Sequence, residues 1–177
     1  ARQWRCAPGR SLHVSVNLSP IQFEKQNVPL LVARVLGETE LDPRCLDLEI
    51  TEGILLKDFE AAAADLRKLM ELGACISIDD FGAGYSSLNY IKRLPVKRLK
   101  IDQSFVRNLQ SDPNDAAIVR AMVTLGHSLD LKVLAEGVET AEIASRLRAE
   151  GCDEAQGYYF GRPIDRKSTR LNSSHVA

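Results

Sequence analysis

What this sequence lacks narrows its function before any motif is read. No apolar run approaches the ~18 residues needed to cross a bilayer. Arg2, Arg5 and Arg10 stand near the start with no apolar stretch after them, so nothing there has the form of a signal peptide. Four cysteines, Cys6, Cys45, Cys75 and Cys152, are scattered with no Cys-x-x-Cys pair. Three histidines, His13, His127 and His175, form no motif. A zinc site would need closer spacing, so reduced thiols in a cytoplasmic protein are expected, from a parent that could itself be membrane-anchored. The formal net charge is −1, which gives no electrostatic footprint for a DNA or RNA polymer or a membrane surface.

What is present is ordinary for a globular domain: 45% hydrophobic and 27% charged residues in a chain of 177, enough for one domain with a sizeable core. Short Val-, Ile- and Leu-rich runs at 13–17, 46–50, 74–79, 98–101, 132–135 and 155–159 read as strands buried on both faces. Helical stretches alternate with them. Residues 57–72 place Phe59, Ala62, Leu66, Leu69 and Met70 on one face, and Gly73 can close the helix in a left-handed cap. A second helix is expected over 85–94, starting near Ser86 and Ser87 and ending before Pro95. Asp112 and Pro113 begin a third that runs to about Leu129, with Ile118, Ala121, Met122, Leu125 and Leu129 as its apolar face. Thr140 caps a fourth that ends at Gly151. Strand–helix alternation implies a parallel sheet with right-handed crossovers. No glycine-rich phosphate loop follows the first strand, which weakens a dinucleotide-binding fold. Six strands in a short chain fit a truncated (β/α)₈ barrel, with about six of its eight strands present.

From Asp165 onward the sequence loses all periodicity. Residues 165–175 resemble the translation of a common sequencing adapter, so 165–177 are expected to be a non-native tail and 1–164 the domain.

The polar residues fall into a pattern once placed on the strands. Asn17, Glu49, the Asp79-Asp80 pair, Lys100 and Glu136 each lie at or near the carboxyl end of a successive strand, and Gln156 lies on the sixth, about one βα unit apart. In a parallel barrel that is the end where active sites form. A lone strand-end acid is more often a cap or a surface ion pair; the set is what carries weight. Carboxylate and amide oxygens, without sulfur or imidazole, select Mg²⁺ or Mn²⁺. Adjacent carboxylates repel unless a cation offsets them, and two such ions suit in-line attack on a phosphodiester. Lys100 would add a point charge for the attacking water or a phosphate oxygen.

These residues also carry a family resemblance. Val16-Asn17-Leu18-Ser19, Leu48-Glu49-Ile50-Thr51-Glu52, Asp79-Asp80-Phe81-Gly82-Ala83-Gly84-Tyr85-Ser86-Ser87-Leu88, Leu99-Lys100-Ile101-Asp102, Ala135-Glu136-Gly137-Val138-Glu139-Thr140 and Ala155-Gln156-Gly157-Tyr158-Tyr159-Phe160 resemble, in order and spacing, the signatures of EAL domains. The resemblance implies a modified TIM (β/α)₈ barrel that cleaves cyclic di-GMP to linear pGpG. It makes Asn17, Glu49 and Asp79 ligands of a first Mg²⁺ or Mn²⁺ ion, and Asp79, Asp80 and Glu136 ligands of a second. Lys100 resembles the catalytic lysine that holds the nucleophilic water. Glu139 and Gln156 match polar residues lining the site, and Asp102 belongs to the lysine's signature. Phe81 to Ser87, including Gly82, Gly84 and Ser86, resembles a mobile loop over the site, and Glu52 the glutamate that anchors it.

The family's namesake Glu-Ala-Leu lies upstream of the residues present, so the chain is expected to lack two strands and one metal ligand and to be unstable or inactive alone. A homodimer through the face near the loop, and an upstream GGDEF or sensory domain, are further expectations of the resemblance. Two other functions stay open: a non-catalytic cyclic di-GMP receptor, and an unrelated metal-dependent barrel that would explain the strand ends but not the signature order.

Overall fold

A computed structural model describes residues 13–55, 58–83 and 88–163. The chain divides into two compact units, one up to Lys97 and one from Arg98. Each contributes three parallel strands in chain order, six in all, and the α/β class read from the sequence is the one observed.

In the first unit β1 is Val14–Leu18, β2 is Leu46–Thr51 and β3 is Cys75–Phe81. Helices α1 (Pro20–Lys25) and α2 (Val28–Thr39) connect β1 to β2, and α3 (Phe59–Glu71) connects β2 to β3. Their starts follow from local chemistry. Ser19 accepts the Gln22 N–H while the Gln22 side chain accepts the Ser19 N–H, a reciprocal cap. Asn27 and Asp58 cap α2 and α3 in the same way, through the Leu30 and Ala61 N–H groups. α3 buries Ala62, Ala63, Leu66 and Leu69 and leaves Phe59 and Met70 half-exposed. Gly73, at φ +100°, closes it as expected, with its N–H donating to the Met70 carbonyl. Of the helix expected over 85–94, the described residues include α4 (Leu88–Ile91), and its expected start lies outside them. Tyr90 of α4 stacks on Phe59 with ring centroids 4.8 Å apart, and the Arg93 guanidinium sits over the same ring.

In the second unit β4 is Arg98–Ile101, β5 is Lys132–Ala135 and β6 is Glu154–Ala155. Helices α5 (Gln103–Arg107) and α6 (Pro113–Ser128) precede β5, and α7 (Ala141–Ala149) precedes β6. Asp112 and Thr140 cap α6 and α7 as expected. The buried face of α6 is Ala116, Val119, Met122, Val123 and Gly126, not the face expected; of the expected set only Met122 is buried, and Ile118 is exposed. Small residues let α6 approach β5. A Cβ on Gly126 would stand 2.4 Å from Val133 Cγ2. The sixth strand is also shorter than expected. It ends at Ala155, and 157–160 form a turn, so Gln156 lies beyond the strand.

In both units the apolar halves of the strands are buried: Leu48, Ile50, Ile76 and Ile78 in the first, Leu99, Ile101 and Val133 in the second. Because side chains alternate along a strand, the neighbouring positions 47, 49, 77, 79, 98 and 100 face the other way. That second face carries the polar residues.

Candidate functional site

In the first unit register brings Asn17 beside Glu49, and Glu49 beside Ser77, with Asp79 one alternation further toward the carboxyl end. Glu49 and Asp79 are buried, at 6% and 8% exposure, while Asn17 at the edge of the described strands is exposed. One alternation back, Asp47 and Ser77 are also buried, and the Ser77 hydroxyl donates to Asp47 Oδ1 at 2.7 Å. Neither was singled out from sequence. The available signal was period two, which puts both on the face of Glu49 and Asp79. Asp80 is exposed and left-handed, φ +52°, a conformation aspartate tolerates better than most residues. It turns the strand end and leads into Phe81 and Gly82, the latter at φ +94°.

Phe81 was expected in the loop. It is instead the last residue of β3 and buried, because an aromatic ring at a strand end gains more from the core than from water. Glu52 opens a short 3₁₀ turn, Glu52–Leu55, directly after β2 and is half-buried. Gly84 and Ser86 lie outside the described residues.

In the second unit Lys100 is buried and its Nζ lies 2.7 Å from Glu136 Oε1, with side-chain exposures of 4% and 22%. Glu136 is held there by its backbone, whose N–H donates to the Ile101 carbonyl at 3.2 Å. Asp102, expected to line the site, caps α5 by accepting the Ser104 N–H at 2.9 Å. Glu139 and Gln156 are exposed near the ends of β5 and β6. On the same polar face Arg98 Nε lies 2.8 Å from Glu154 Oε2.

His127 Nε2 is 2.9 Å from Asp153 Oδ2, which also accepts the Val133 N–H at 2.8 Å. Cys45, Cys75 and Cys152 are thiols, not joined in disulfides. Burial pushes the Cys152 thiol up to about 11, which makes it a poor nucleophile at neutral pH. Among the described residues no helix is long and apolar enough to cross a membrane.

In the first unit the donors at the strand ends are all oxygen: the Asn17 amide and the carboxylates of Glu49, Asp79 and Asp80. This set fits a hard divalent cation such as Mg²⁺ or Mn²⁺.

Parallel strands whose carboxyl ends carry acids, an amide and a buried lysine define an α/β protein of the kind that builds its site on strand ends. The chain belongs to the EAL domain family, whose model matches residues 1–163. It is 44% identical over 163 aligned residues, 92% of the chain, to the bifunctional diguanylate cyclase/cyclic di-GMP phosphodiesterase MucR of Pseudomonas aeruginosa, of which it covers 24%.

 The chain superposes on the PaMucR phosphodiesterase, solved in complex with c-di-GMP, with a TM-score of 0.83 and 45% identity, covering 88% of this chain and 63% of that one. It also matches Klebsiella pneumoniae BlrP1, solved with manganese and cyclic di-GMP, with a TM-score of 0.79 and 31% identity, covering 88% and 40% of the two chains. The fold of these EAL structures is TIM-barrel-like, as the sequence led us to expect. The chain spans about a fifth of the length of the curated relatives it matches.

Proposed function

We propose that this chain carries the hydrolytic machinery of a metal-dependent phosphodiesterase that opens cyclic di-GMP to linear pGpG. The observation that carries the reading is Lys100, a buried ammonium 2.7 Å from the Glu136 carboxylate at the carboxyl ends of β4 and β5. A buried lysine is costly unless it serves a specific anionic partner or reactant. Family membership supplies the substrate class, and the two solved relatives with bound cyclic di-GMP support it.

In this reading Asn17, Glu49 and Asp79 hold one divalent cation, and Asp79, Asp80 and Glu136 hold a second. Two such ions, when bound, polarise the phosphoryl oxygens and acidify water. Lys100 orients the attacking water and offsets the negative charge that develops on phosphorus oxygens. Glu136 keeps the ammonium in place. Water adds to phosphorus and the P–O3′ bond breaks, which leaves the phosphate on the 5′ oxygen of pGpG. Gln156 and Glu139 offer polar contacts to the nucleotide from the ends of β6 and β5. The loop over the substrate begins at Gly82 rather than Phe81, with Glu52 as its anchor. In the whole protein this domain follows a GGDEF or sensory domain, works in the cytoplasm and pairs with a second copy.

The test is hydrolysis of cyclic di-GMP by the full-length protein in Mg²⁺, with Asp79→Asn as control. The expected outcome is pGpG that disappears in the control, with a loss of at least ~100-fold. Tight nucleotide binding by a folded protein without turnover would replace the enzyme by a receptor, and no binding would overturn the substrate.

A further inference from the structure

The segment Glu136–Glu139 is clasped by the turn that follows β6. The Val138 N–H donates to the Gln156 carbonyl at 3.0 Å, and the Val138 carbonyl accepts the Tyr159 N–H at 3.0 Å. The Gln156 N–H in turn donates to the Ala135 carbonyl at 2.8 Å. Both polar groups of one peptide segment are therefore satisfied by one turn, and the Val138 side chain is fully buried. This contact is so close that only glycine fits at 157. A Cβ there would stand 2.2 Å from the Val138 oxygen, 2.3 Å from its nitrogen and 2.7 Å from its carbonyl carbon. The obstacle is backbone on all three sides, which no rotamer change relieves.

The other side of the segment is fixed as well. Gly137 has φ +69°, and a Cβ there would meet Gln103 Cβ at 2.6 Å. Glu136 itself donates its N–H to Ile101 and presents its carboxylate to Lys100. Glu136 thus lies two residues before the clasped Val138 peptide, and Glu139 one residue beyond it.

We infer that Gly157 is a positioning residue: its missing side chain lets the 156–159 turn seat on the Val138 peptide and so fixes where Glu136 presents its carboxylate. The inference rests on the reading that Glu136 holds a cation. Adding a methyl at 157 must push the two backbones apart by about 1 Å to reach an ordinary contact. Displacements of that size are enough to degrade a preorganised site.

The experiment is equilibrium Mn²⁺ binding to the full-length protein without substrate, read as free Mn²⁺ by electron paramagnetic resonance. Wild type, Gly157→Ala and Gly161→Ala are compared; a Cβ on Gly161 meets nothing within 4 Å. Gly157→Ala is expected to weaken the affected Mn²⁺ site about tenfold or more, while Gly161→Ala leaves it unchanged. A residue with a merely structural role would lower the folded fraction without moving the affinity of the protein that remains folded. If Gly157→Ala does not accumulate folded, Val138→Ala takes its place. It keeps every backbone hydrogen bond but removes the buried methyl groups that seat the clasp, and is expected to weaken the same site severalfold. Unchanged Mn²⁺ affinity in the folded variant overturns the inference and leaves the phosphodiesterase reading standing. Wild type that binds no Mn²⁺ overturns the metal reading, and this inference with it.

Discussion

Replacing Lys100 by methionine keeps most of the side-chain volume and removes the charge, so it isolates the ion pair with Glu136. At 2.7 Å and an effective dielectric constant of about 20, the gross Coulomb attraction is about 6 kcal/mol. Most of that is offset by taking the ammonium, at 4% side-chain exposure, and the carboxylate, at 22%, away from water. Removing one member of a fully buried pair costs roughly 3–5 kcal/mol. Glu136 still reaches some solvent, so about 2–4 kcal/mol is expected for Lys100→Met. The single mutants mix this pair with every other contact of the two residues, and a double-mutant cycle separates it. The assay is urea unfolding of wild type, Lys100→Met, Glu136→Gln and the double variant, all in chelator so that no cation contributes. A coupling of about 1–3 kcal/mol is expected. A coupling below about 0.3 kcal/mol would refute the claim that the pair is a structural contact of the folded protein, because sites without contact add to within that margin.

Two glycines in helices should respond to alanine with opposite sign. At Gly37 in α2 an added Cβ meets nothing within 4 Å, so Gly37→Ala should stabilise by roughly 0.5–1 kcal/mol through helix propensity. At Gly126 the same change drives a methyl to 2.4 Å from Val133 Cγ2 and should cost about 1–3 kcal/mol; denaturation midpoints of the two variants check the pair. Asp153 predicts a pH effect. Burial pushes its carboxyl up, but the Val133 N–H and His127 outweigh that and hold it below the ordinary range. A depressed folded-state value means stability that is present above the unfolded value and lost as pH falls through the folded one. Asp153→Asn should therefore be less stable than wild type above about pH 4 and converge on it below, as measured by urea unfolding across a pH series.

The sequence by itself determined most of the strands, most caps and the placement of polar residues at strand ends. Valine, isoleucine and leucine runs mark β2 to β5 because both faces of a parallel strand are buried. Asp112-Pro113, Thr140 and Gly73 act through their own backbone neighbours, so their roles are local and readable. The identities of Asn17, Glu49, Asp79, Asp80, Lys100 and Glu136 were legible for the same reason: one polar group per βα unit is a one-dimensional pattern. Helix α2 was not singled out from the sequence; in the structure Pro29 sits in its first turn, where no N–H is needed. The phase of α6 was misread because size was taken as the guide to burial. The distance between helix and strand favoured Ala116 and Gly126 over Ile118, and that distance exists only in the folded chain. The same holds for Phe81, drawn into the end of β3, and Gln156, left beyond β6. Tertiary structure alone decided the Asp47–Ser77 bond, the Lys100–Glu136 pair and the seat of Gly157 on Val138. Each joins residues far apart in sequence, and their separation of a few ångströms is set by strand register and close packing, which no local pattern encodes.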